Sequence, residues 1–418
     1  MKPLRIGTLL VVFVCLFLFF TGTVWAQKKL SLLTWNIPAY EQGIRGWIAD
    51  FEKAHAGVKV EWLDKKGSVW AAFYQTQLAG GTAPDVVEIQ GPLWVQYADM
   101  GALINLTPFL DKEAAVKAGF DQNMLNTALT YQDKNFMVPF FMAPTVLFYN
   151  KIMFKETGLT SPPETFEELV TYARKLTKEE KSGFLTLNFD WHYWPLFRTN
   201  GVKLLTPDNK KAAFNTSTGV KTVDTLRELT EEGVIAKISW TGRWKEPNDA
   251  FGAGTIGMFN VNGAGLHVFR AAGADWVSPD TIGVASFPGG WAVPNYHALG
   301  ISSTCKYPEL AWELVKVIVS AKWQEDAMRF LRVLSGNSEV NEKLLSQPSF
   351  RAADPLRIAM FEVELSNMDK LTGNPLISQD ERVKDAFYRE LQNALFGKKT
   401  PQQALEDAET IVNRILSE

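Results

Sequence analysis

Short apolar runs and amphipathic stretches alternate along the first quarter of the chain. Residues 30–35, 58–62 and 85–90 have the pattern of buried strands, and residues 44–51 and 69–78 repeat apolar positions at helical spacing. Strands that alternate with helices at roughly 30-residue spacing indicate βαβ units and a parallel sheet. The predicted class is therefore α/β, and ligands of such sheets bind beyond the carboxyl ends of the strands.

A second apolar block covers residues 136–150 and contains Pro139 and Pro144. Because proline has no N–H to donate to a sheet ladder, this block is predicted to form two strands of different sheets joined by a bend. Thr165 and Glu168 follow it and fit a capping box at the start of an amphipathic helix. Further amphipathic helices are predicted from residue 306 onward, where the pattern continues to residue 328, and over residues 382–416.

The first 26 residues have the pattern of a secretory signal peptide. Lys2 and Arg5 precede an apolar run over residues 6–20, and small residues lead to Ala26, after which cleavage is predicted. The alternative is an uncleaved anchor helix, but the apolar run is shorter than the ~20 residues that span a bilayer.

Removal of this segment would leave Cys305 as the only cysteine, so no intrachain disulfide is expected. The whole chain of 418 residues has a formal charge of −3, which argues against a nucleic-acid-binding protein with its basic excess. Its composition is unusual in one respect, because 14 Trp exceed 10 Tyr.

Seven segments in a fixed order resemble the extracellular solute-binding proteins of bacterial ABC importers, in particular the carbohydrate-binding group related to maltose-binding protein. Each segment alone is only moderately specific, whereas their order and spacing along the chain are not expected by chance. They are GGTAPDVVEIQ (80–90), ADMGALINLTPFL (98–110), VPFFMAPTVLFYNK (138–151), GLTSPPETFEELVTYARKLT (158–177), DAFGAGTIGMFNVNG (249–263), ALGISSTCKYPELAWELVKVIVS (298–320) and ALFGKKTPQQALEDAE (394–409).

The resemblance implies a periplasmic-binding-protein fold with two α/β lobes, a ligand cleft between them and several hinge crossings. By similarity the crossings would lie near residues 142–145, 294–298 and 345–352. The expected first lobe comprises residues 27–142 plus 298–347, and the expected second lobe comprises residues 143–297 plus 348–418. Ligand binding would close the lobes, and the permease subunits of the importer would recognise the closed form.

A sugar-binding site needs aromatic faces for the C–H patches of the ring and polar side chains for its hydroxyls. Trp35, Asn36 and Gln90 follow or end predicted strands, with Trp94 just beyond, and all four are candidate ligand-binding residues. Asp64 is a weaker candidate, because two adjacent lysines make its turn typical of a solvated charge cluster.

The predicted second lobe supplies further candidates. In the maltose-binding pattern an aromatic residue three positions before a Trp-Pro pair stacks on the sugar, and Trp191 has this position relative to Trp194. His192 shares its loop. Trp240, Arg243 and Trp244 lie together in a polar loop that is expected at the cleft rim, although packing and surface exposure are the ordinary alternatives.

Asn262 follows another predicted buried strand and is a candidate ligand residue. The family commonly has a tryptophan just after this Asn-Gly pair, but Gly265 stands at that position here. This departure from the pattern suggests that another aromatic residue, Trp291, occupies the space.

A secreted glycoside hydrolase and a surface lectin are the alternative functions. Asp190, Asp275 and Glu61 each adjoin a tryptophan and could supply the carboxylates of a hydrolase, but nothing in the sequence pairs them. The four histidines show no metal-ligand spacing. We therefore expect a monomeric periplasmic or extracellular protein that delivers a mono- or oligosaccharide to an ABC permease, with no catalytic residues, no metal, no cofactor and no nucleic-acid partner.

Overall fold

The computed structural model describes residues 27–273, 275–373 and 375–418, so the predicted signal peptide and its cleavage site lie outside the described residues. The strands are β1 (Lys28–Trp35), β2 (Val58–Lys65), β3 (Val86–Gln90), β4 (Thr130–Tyr131), β5 (Lys134–Asn135), β6 (Met137–Met142), β7 (Thr145–Asn150), β8 (Ser182–Leu185), β9 (Ile256–Asn262), β10 (Ile282–Ala285), β11 (Tyr296–Ile301) and β12 (Leu334–Ser335).

The α-helices cover the faces of the sheets. They are α1 (Glu41–Ala54), α2 (Gly67–Ala79), α3 (Trp94–Asp99), α4 (Thr107–Lys112), α5 (Ala114–Gly119), α6 (Lys151–Glu156), α7 (Phe166–Leu176), α8 (Trp194–Thr199), α9 (Ser217–Glu231), α10 (Lys245–Gly252), α11 (Gly265–Gly273), α12 (Pro308–Val319), α13 (Ala321–Leu331), α14 (Ser338–Leu345), α15 (Pro348–Ala353), α16 (Pro355–Ser366), α17 (Asp380–Leu395) and α18 (Pro401–Ser417). Among the described residues, no helix has the length and apolar character needed to cross a membrane.

The strands form two main sheets and one small hairpin. Sheet A has the order β12-β6-β11-β3-β1-β2, sheet B has the order β10-β7-β9-β8, and β4 pairs with β5. We call sheet A with its helices the first lobe and sheet B with its helices the second lobe. The α/β prediction is confirmed, and β1 pairs in parallel with β2 and β3. The sheet is mixed, however, because β11 runs antiparallel to β3 and β6.

Two chain segments connect the sheets side by side. Strand β6 belongs to sheet A and β7 to sheet B, as predicted from the prolines in this block. The short connection between them pairs with the returning segment, because Ala143 N–H donates to the carbonyl of Asn295 at 2.7 Å and Thr145 N–H donates to that of Val293 at 3.1 Å. The two segments therefore form one hydrogen-bonded connection between the lobes.

The helix predictions differ from the structure in two details. The amphipathic pattern that starts at residue 306 is divided into α12 and α13, because Ser320 has an extended backbone conformation with ψ of 149°. At the start of α7, Thr165 Oγ1 accepts a hydrogen bond from Glu168 N–H at 3.1 Å. The Glu168 carboxylate accepts from the backbone of Glu164, one residue before the cap, so the capping box is shifted by one position.

Two glycines allow helix α7 to approach sheet B closely. A Cβ atom at Gly183 in β8 would lie 1.8 Å from the carbonyl oxygen of Ala173, which is part of the helix backbone. A Cβ atom at Gly257 in β9 would lie 2.9 Å from the side chain of Leu176 at the end of the same helix. This close approach positions β8 and the loop that follows it, which contributes to the site described below.

Gly183→Ala should therefore force β8 and α7 apart. We expect the free energy of unfolding to fall by about 1–3 kcal/mol, the usual effect of overpacking. Ser182→Ala, at the neighbouring half-buried position, is the matched control and should change it by less than about 0.5 kcal/mol. Equilibrium denaturation checks both variants, and an unchanged midpoint for Gly183→Ala would contradict the close packing.

Candidate functional site

A continuous cleft lies between the two lobes beside their hydrogen-bonded connection. It consists of two adjoining cavities of about 440 and 310 Å³ that share Gln90, Asp190 and Asn295. Gln90 ends β3 in the first lobe, Asp190 follows β8 in the second lobe, and Asn295 belongs to the connection. The other lining residues are Trp35, Ala71, Gln75, Gly91, Pro92, Leu93, Gln96, Pro294 and Glu381 in the larger cavity, and Phe141, Ala143, Phe189, Trp244, Asn262, Ala264, His297 and Val333 in the smaller one.

A buried carboxylate positions the first-lobe wall of the cleft. Glu88 is fully buried, and its Oε2 accepts a hydrogen bond from Trp35 N–H at 3.0 Å. His297 Nδ1 lies 2.7 Å from Glu88 Oε1, so one side chain fixes two cleft residues. The His297 ring stacks on Phe141 with centroids 4.2 Å apart and meets Trp35 edge-on at 6.3 Å. The first-lobe wall is therefore aromatic, and the buried Glu88 fixes the positions of Trp35 and His297.

The second-lobe wall contains a strained loop. Asp190 and Trp191 have φ values of 47° and 61°, in the left-handed region that costs an ordinary residue roughly 1–2 kcal/mol. Two contacts with α17 hold the loop in this conformation. Trp191 Nε1 donates to Asp380 at 3.0 Å, and Lys384 Nζ donates to Asp190 at 3.3 Å. Lys384 also donates to Glu381 at 2.5 Å, so one amine joins both carboxylates that line the cleft.

The charged side chains beneath the second-lobe wall shift one another's pKa values. Burial raises the pKa of Asp380 to about 7, although Lys384 and the Trp191 N–H both act in the opposite direction. Burial alone would lower the pKa of Lys384, but Asp190, Glu381 and Asp380 together raise it above its ordinary value. Lys384 is therefore charged at neutral pH, and its charge faces the carboxylates rather than the cleft.

Hydrogen-bonding groups without cationic side chains line the cleft. Among the described residues that surround the two cavities, none is Arg or Lys. Asp190 and Glu381 contribute carboxylates, and Gln75, Gln90, Gln96, Asn262 and Asn295 contribute amides. The side chains of Asp190 and Glu381 are 47% and 56% exposed, so solvent and ligand can reach them. Such a surface can donate to and accept from hydroxyl groups.

The structure corrects the expectation for Trp191, which has no exposed surface. Its ring packs edge-to-face against Trp194 at 5.6 Å and lies near Tyr193 and Phe387 in the second-lobe core. Its N–H is bonded to Asp380. A sugar therefore has no access to the ring face, and the residue shapes the cleft through the loop it anchors.

His192, Trp94 and Trp240 are likewise buried, each at most 2% exposed. Trp94 Nε1 donates to the Tyr296 hydroxyl at 3.2 Å, and Trp240 Nε1 donates to Thr230 at 3.1 Å. Burial lowers the pKa of His192, whose Nε2 lies 3.3 Å from the Asn262 amide. These three side chains belong to the protein interior and do not line the cleft.

Four other candidates lie outside the lining of the cleft. Asn36 is exposed, and Arg243 is exposed and paired with Glu246 at 3.1 Å. Asp64 accepts hydrogen bonds from Thr34 at 2.7 Å and from the backbone of Ile37 at 3.2 Å, so it stabilises the turn after β1. Trp291 packs beneath the Arg198 guanidinium at 4.1 Å, whereas the side chains next to Gly265 are those of Asn248 and Phe269.

The structure brings Trp35, Gln90, Trp244 and Asn262 together in the cleft, and their contact with ligand stays a prediction. Sequence reasoning missed several lining residues that were near its candidates. Asn295 and His297 fall within the predicted second crossing, while Phe189 and Asp190 immediately precede Trp191. The loop indicated by the family pattern therefore reaches the cleft, but its left-handed turn presents the residues one and two positions before Trp191.

Comparison with known proteins supports the same architecture. Residues 35–325 match the family described as bacterial extracellular solute-binding protein, which is most of the chain. The chain belongs to this family. Among curated relatives, the sn-glycerol-3-phosphate-binding periplasmic protein UgpB of Pectobacterium atrosepticum is 23% identical, with 94% of this chain and 92% of the relative covered.

Two solved structures show the fold of this solute-binding protein. An ABC transporter solute-binding protein from Thermotoga lettingae, bound with alpha-D-tagatose, has a TM-score of 0.78 at 23% identity and covers 93% of this chain and 100% of that one. A putative oligosaccharide periplasmic-binding protein from Synechococcus has a TM-score of 0.80 at 20% identity and covers 93% and 99%. The predicted two-lobed periplasmic-binding-protein fold is confirmed by these matches.

The burial of Trp191 gives a test of stability. Trp191→Ala should lower the free energy of unfolding by about 3–5 kcal/mol, because it removes a large buried ring and leaves a cavity. Trp191→Phe keeps much of that packing and should cost less. Equilibrium denaturation measures both variants. A Trp191→Ala variant with unchanged stability and weakened ligand binding would contradict the structural role and restore the predicted stacking role.

The pKa of Asp380 predicts a pH-dependent stability difference. The folded protein binds a proton at this carboxyl below about pH 7, whereas the unfolded chain does so only near its ordinary value of 3.8. The wild type should therefore lose stability relative to Asp380→Asn as pH rises from about 4 to about 7. Denaturant unfolding at several pH values measures this difference. Asp385→Asn, at an exposed position on the same helix, is the control, and equal pH profiles for Asp380→Asn and wild type would contradict the shift.

Proposed function

We propose that this protein captures an uncharged mono- or oligosaccharide in the interlobe cleft and delivers it to the permease subunits of an ABC importer. The observation that carries the proposal is the lining of the cleft, which combines aromatic rings, amides and two carboxylates with no Arg or Lys among the described lining residues. Sugar hydroxyls both donate and accept hydrogen bonds, and a mixed lining of this kind satisfies both roles.

The aromatic residues occur on both sides of the cleft. Trp35 belongs to the first lobe, where its ring contacts Trp70 at 5.0 Å. Trp244 lies in the second lobe and is only partly buried. A ligand that contacts both rings would touch both lobes, and it would favour the closed arrangement because it binds that arrangement more tightly.

The charge of the cleft supports a neutral cargo over a phosphorylated one. The Pectobacterium relative is named for sn-glycerol-3-phosphate, and a phosphate group is usually bound by Arg, Lys or backbone N–H groups. Here Asp190 and Glu381 would repel an anion, and Lys384 is already engaged by both carboxylates. The tagatose named with the Thermotoga structure and the oligosaccharide named for the Synechococcus protein are cargoes of the proposed kind.

The hydrolase alternative receives less support from the positions of its carboxylates. Of the three carboxylates considered from sequence, only Asp190 lines the cleft. Glu61 pairs with Lys29 at 2.6 Å on β2, and Asp275 is exposed outside the lining. Glycoside hydrolysis needs two carboxyl groups that flank the scissile bond. The two carboxylates in the described lining, Asp190 and Glu381, lie on the same wall and are both bonded to Lys384. A transport role without catalysis, rather than hydrolysis or a lectin function, is therefore proposed.

The remaining assignments belong to the same proposal. The mature protein begins after Ala26, acts as a monomer outside the cytoplasmic membrane, and requires no metal, cofactor or nucleic acid. Its lobes comprise residues 27–142 plus 298–347 and residues 143–297 plus 348–418. The membership of β6 and β12 in sheet A, and of β7 to β10 in sheet B, supports these boundaries, while β11 of sheet A begins at Tyr296, two residues before the predicted boundary.

A thermal-shift screen of the exported protein tests the cargo class, because a ligand that binds only the native state raises the melting temperature. The panel contains neutral mono-, di- and oligosaccharides, sugar acids and sn-glycerol-3-phosphate. We expect a shift with at least one neutral saccharide that is reduced in Trp35→Ala, whereas any shift with sn-glycerol-3-phosphate should be the same in Trp35→Ala and wild type. A shift with no saccharide, or a shift with sn-glycerol-3-phosphate that is lost in Trp35→Ala, would overturn the proposal, as would hydrolysis of a glycoside at an enzyme-like rate.

Trp35→Ala tests the proposed stacking contact. Calorimetric titration with the saccharide found in the screen should show a loss of about 1–3 kcal/mol in binding free energy, the range known for stacking of planar ligands on aromatic side chains. Trp291→Ala is the control, since this half-buried tryptophan lies outside the cleft lining. Equal affinity in Trp35→Ala and wild type would remove Trp35 from the site.

A further inference from the structure

A separate cavity of about 240 Å³ lies between α13 and the pair α15 and α16. Three arginines line it, Arg329, Arg332 and Arg357, together with Asp354 and the apolar residues Met328, Phe350, Ala353 and Ile358. It shares no lining residue with the cleft. We call it the arginine cavity.

A single carboxylate in this cavity serves three guanidinium groups. Arg270 on α11 forms a bidentate pair with Asp354 at 2.6 and 2.7 Å. Arg357 Nε lies 3.2 Å from the same carboxylate, and an Arg332 nitrogen lies 4.0 Å from it. Asp354 also accepts the backbone N–H of Arg357 at the start of α16. Both carboxylate oxygens of Asp354 therefore already accept hydrogen bonds within the protein.

The neighbouring acidic residues do not balance the remaining positive charge. Glu325 pairs with Arg329 at 3.1 Å and with Lys343 at 2.7 Å, so it is occupied by two other cations. Glu364, two turns along α16 from Arg357, is fully buried, and burial raises its pKa well above the ordinary value. Arg357 acts against this shift, but burial disfavours the negative charge that would otherwise offset Arg357. Arg270, Arg332 and Arg357 surround the single carboxylate of Asp354, which leaves an excess of two positive charges.

This excess is partly shielded from water. The Arg357 side chain is 8% exposed, and burial lowers its pKa. The positive charges of Arg270 and Arg332 also lower this pKa, whereas the Asp354 carboxylate raises it. Buried charge without a counter-charge is costly. Arg332, in contrast, is 58% exposed and reaches Asp354 only at 4.0 Å, so its guanidinium has donors available at the mouth of the cavity.

We propose that the arginine cavity binds a phosphate group, as inorganic phosphate or as a phosphomonoester, between Arg332 and Arg357. A dianion matches the excess of two charges, and the planar guanidinium presents paired N–H donors that suit phosphate oxygens. The positive end of the α16 dipole adds to the attraction.

The position of the cavity gives the site a structural consequence. Helix α13 packs on β12 of sheet A, whereas α16 packs on β7 and β10 of sheet B. Arg357 already bridges the two sides, because it donates to the carbonyl of Arg332 at 2.7 Å. A phosphate held by Arg332 and Arg357 would contact both lobes outside the cleft, although Arg332 adjoins Val333, which lines the smaller cleft cavity.

Calorimetric titration of the exported protein with inorganic phosphate, at ionic strength matched with chloride, tests the proposal. We expect saturable binding of one phosphate that weakens about tenfold or more in Arg332→Gln, since a charge-assisted hydrogen bond contributes roughly 1.5–3 kcal/mol. Arg332 is exposed, so this variant should fold, which its melting curve verifies. Arg243→Gln, another exposed and ion-paired arginine, should bind as the wild type does.

Glycerol phosphate in a parallel titration distinguishes the source of the phosphate group. Binding of either compound that depends on Arg332 supports the site, and the tighter one identifies the form preferred. Absence of saturable binding for both, or equal binding by Arg332→Gln and wild type, would overturn it. Trp35→Ala should leave phosphate affinity unchanged, and a loss in that variant would place the anion in the cleft and overturn the proposal.

Discussion

The hydrogen-bonded pair of chain crossings is the constraint on which the rest of the structure depends. Only Ala143 and Pro144 separate β6 in sheet A from β7 in sheet B, so the two sheets begin within a few ångströms of each other at this point. The returning segment is bonded to this connection, because the carbonyls of Asn295 and Val293 accept hydrogen bonds from the N–H groups of Ala143 and Thr145. The lobes can therefore rotate about this pair but cannot separate, which is the geometry of a hinge.

The position of the cleft follows from this hinge. Asn295 and Ala143 belong to the crossings and also line the cavities. Carboxyl-terminal ends of β1 and β3 reach the cleft from one side, and the loop after β8 reaches it from the other. Both walls are fixed from behind by buried polar groups, Glu88 in the first lobe and Lys384 in the second. A ligand would then meet preorganised walls, and most of the adjustment on binding would fall on the hinge.

Sequence pattern predicted the parts of the fold that depend on local periodicity. The strands that end at Trp35 and Gln90, and the division of the block around Pro144, were all predictable because strand alternation and the missing proline N–H act locally. The roles of the tryptophans were not predictable in this way. Trp191 packs against Phe387 and donates its N–H to Asp380, both nearly 200 positions later in the chain, and no local pattern reports these contacts. Likewise, nothing around Ser320 signals the break between α12 and α13.

Charge was the least predictable property, because the near-neutral total conceals two regions of opposite sign. Asp190 and Glu381 make the cleft acidic, while Arg270, Arg332 and Arg357 surround a single carboxylate behind the hinge. An anion gains energy in the second region and loses it in the first, whereas an uncharged sugar is insensitive to both fields. Rings and amides suit the acidic cleft to sugar, and paired guanidiniums suit the arginine cavity to phosphate. The two proposed ligands would therefore not compete for one site, and an influence of one on the other could pass through the relative position of the lobes or through the adjacent residues Arg332 and Val333, which line the two cavities.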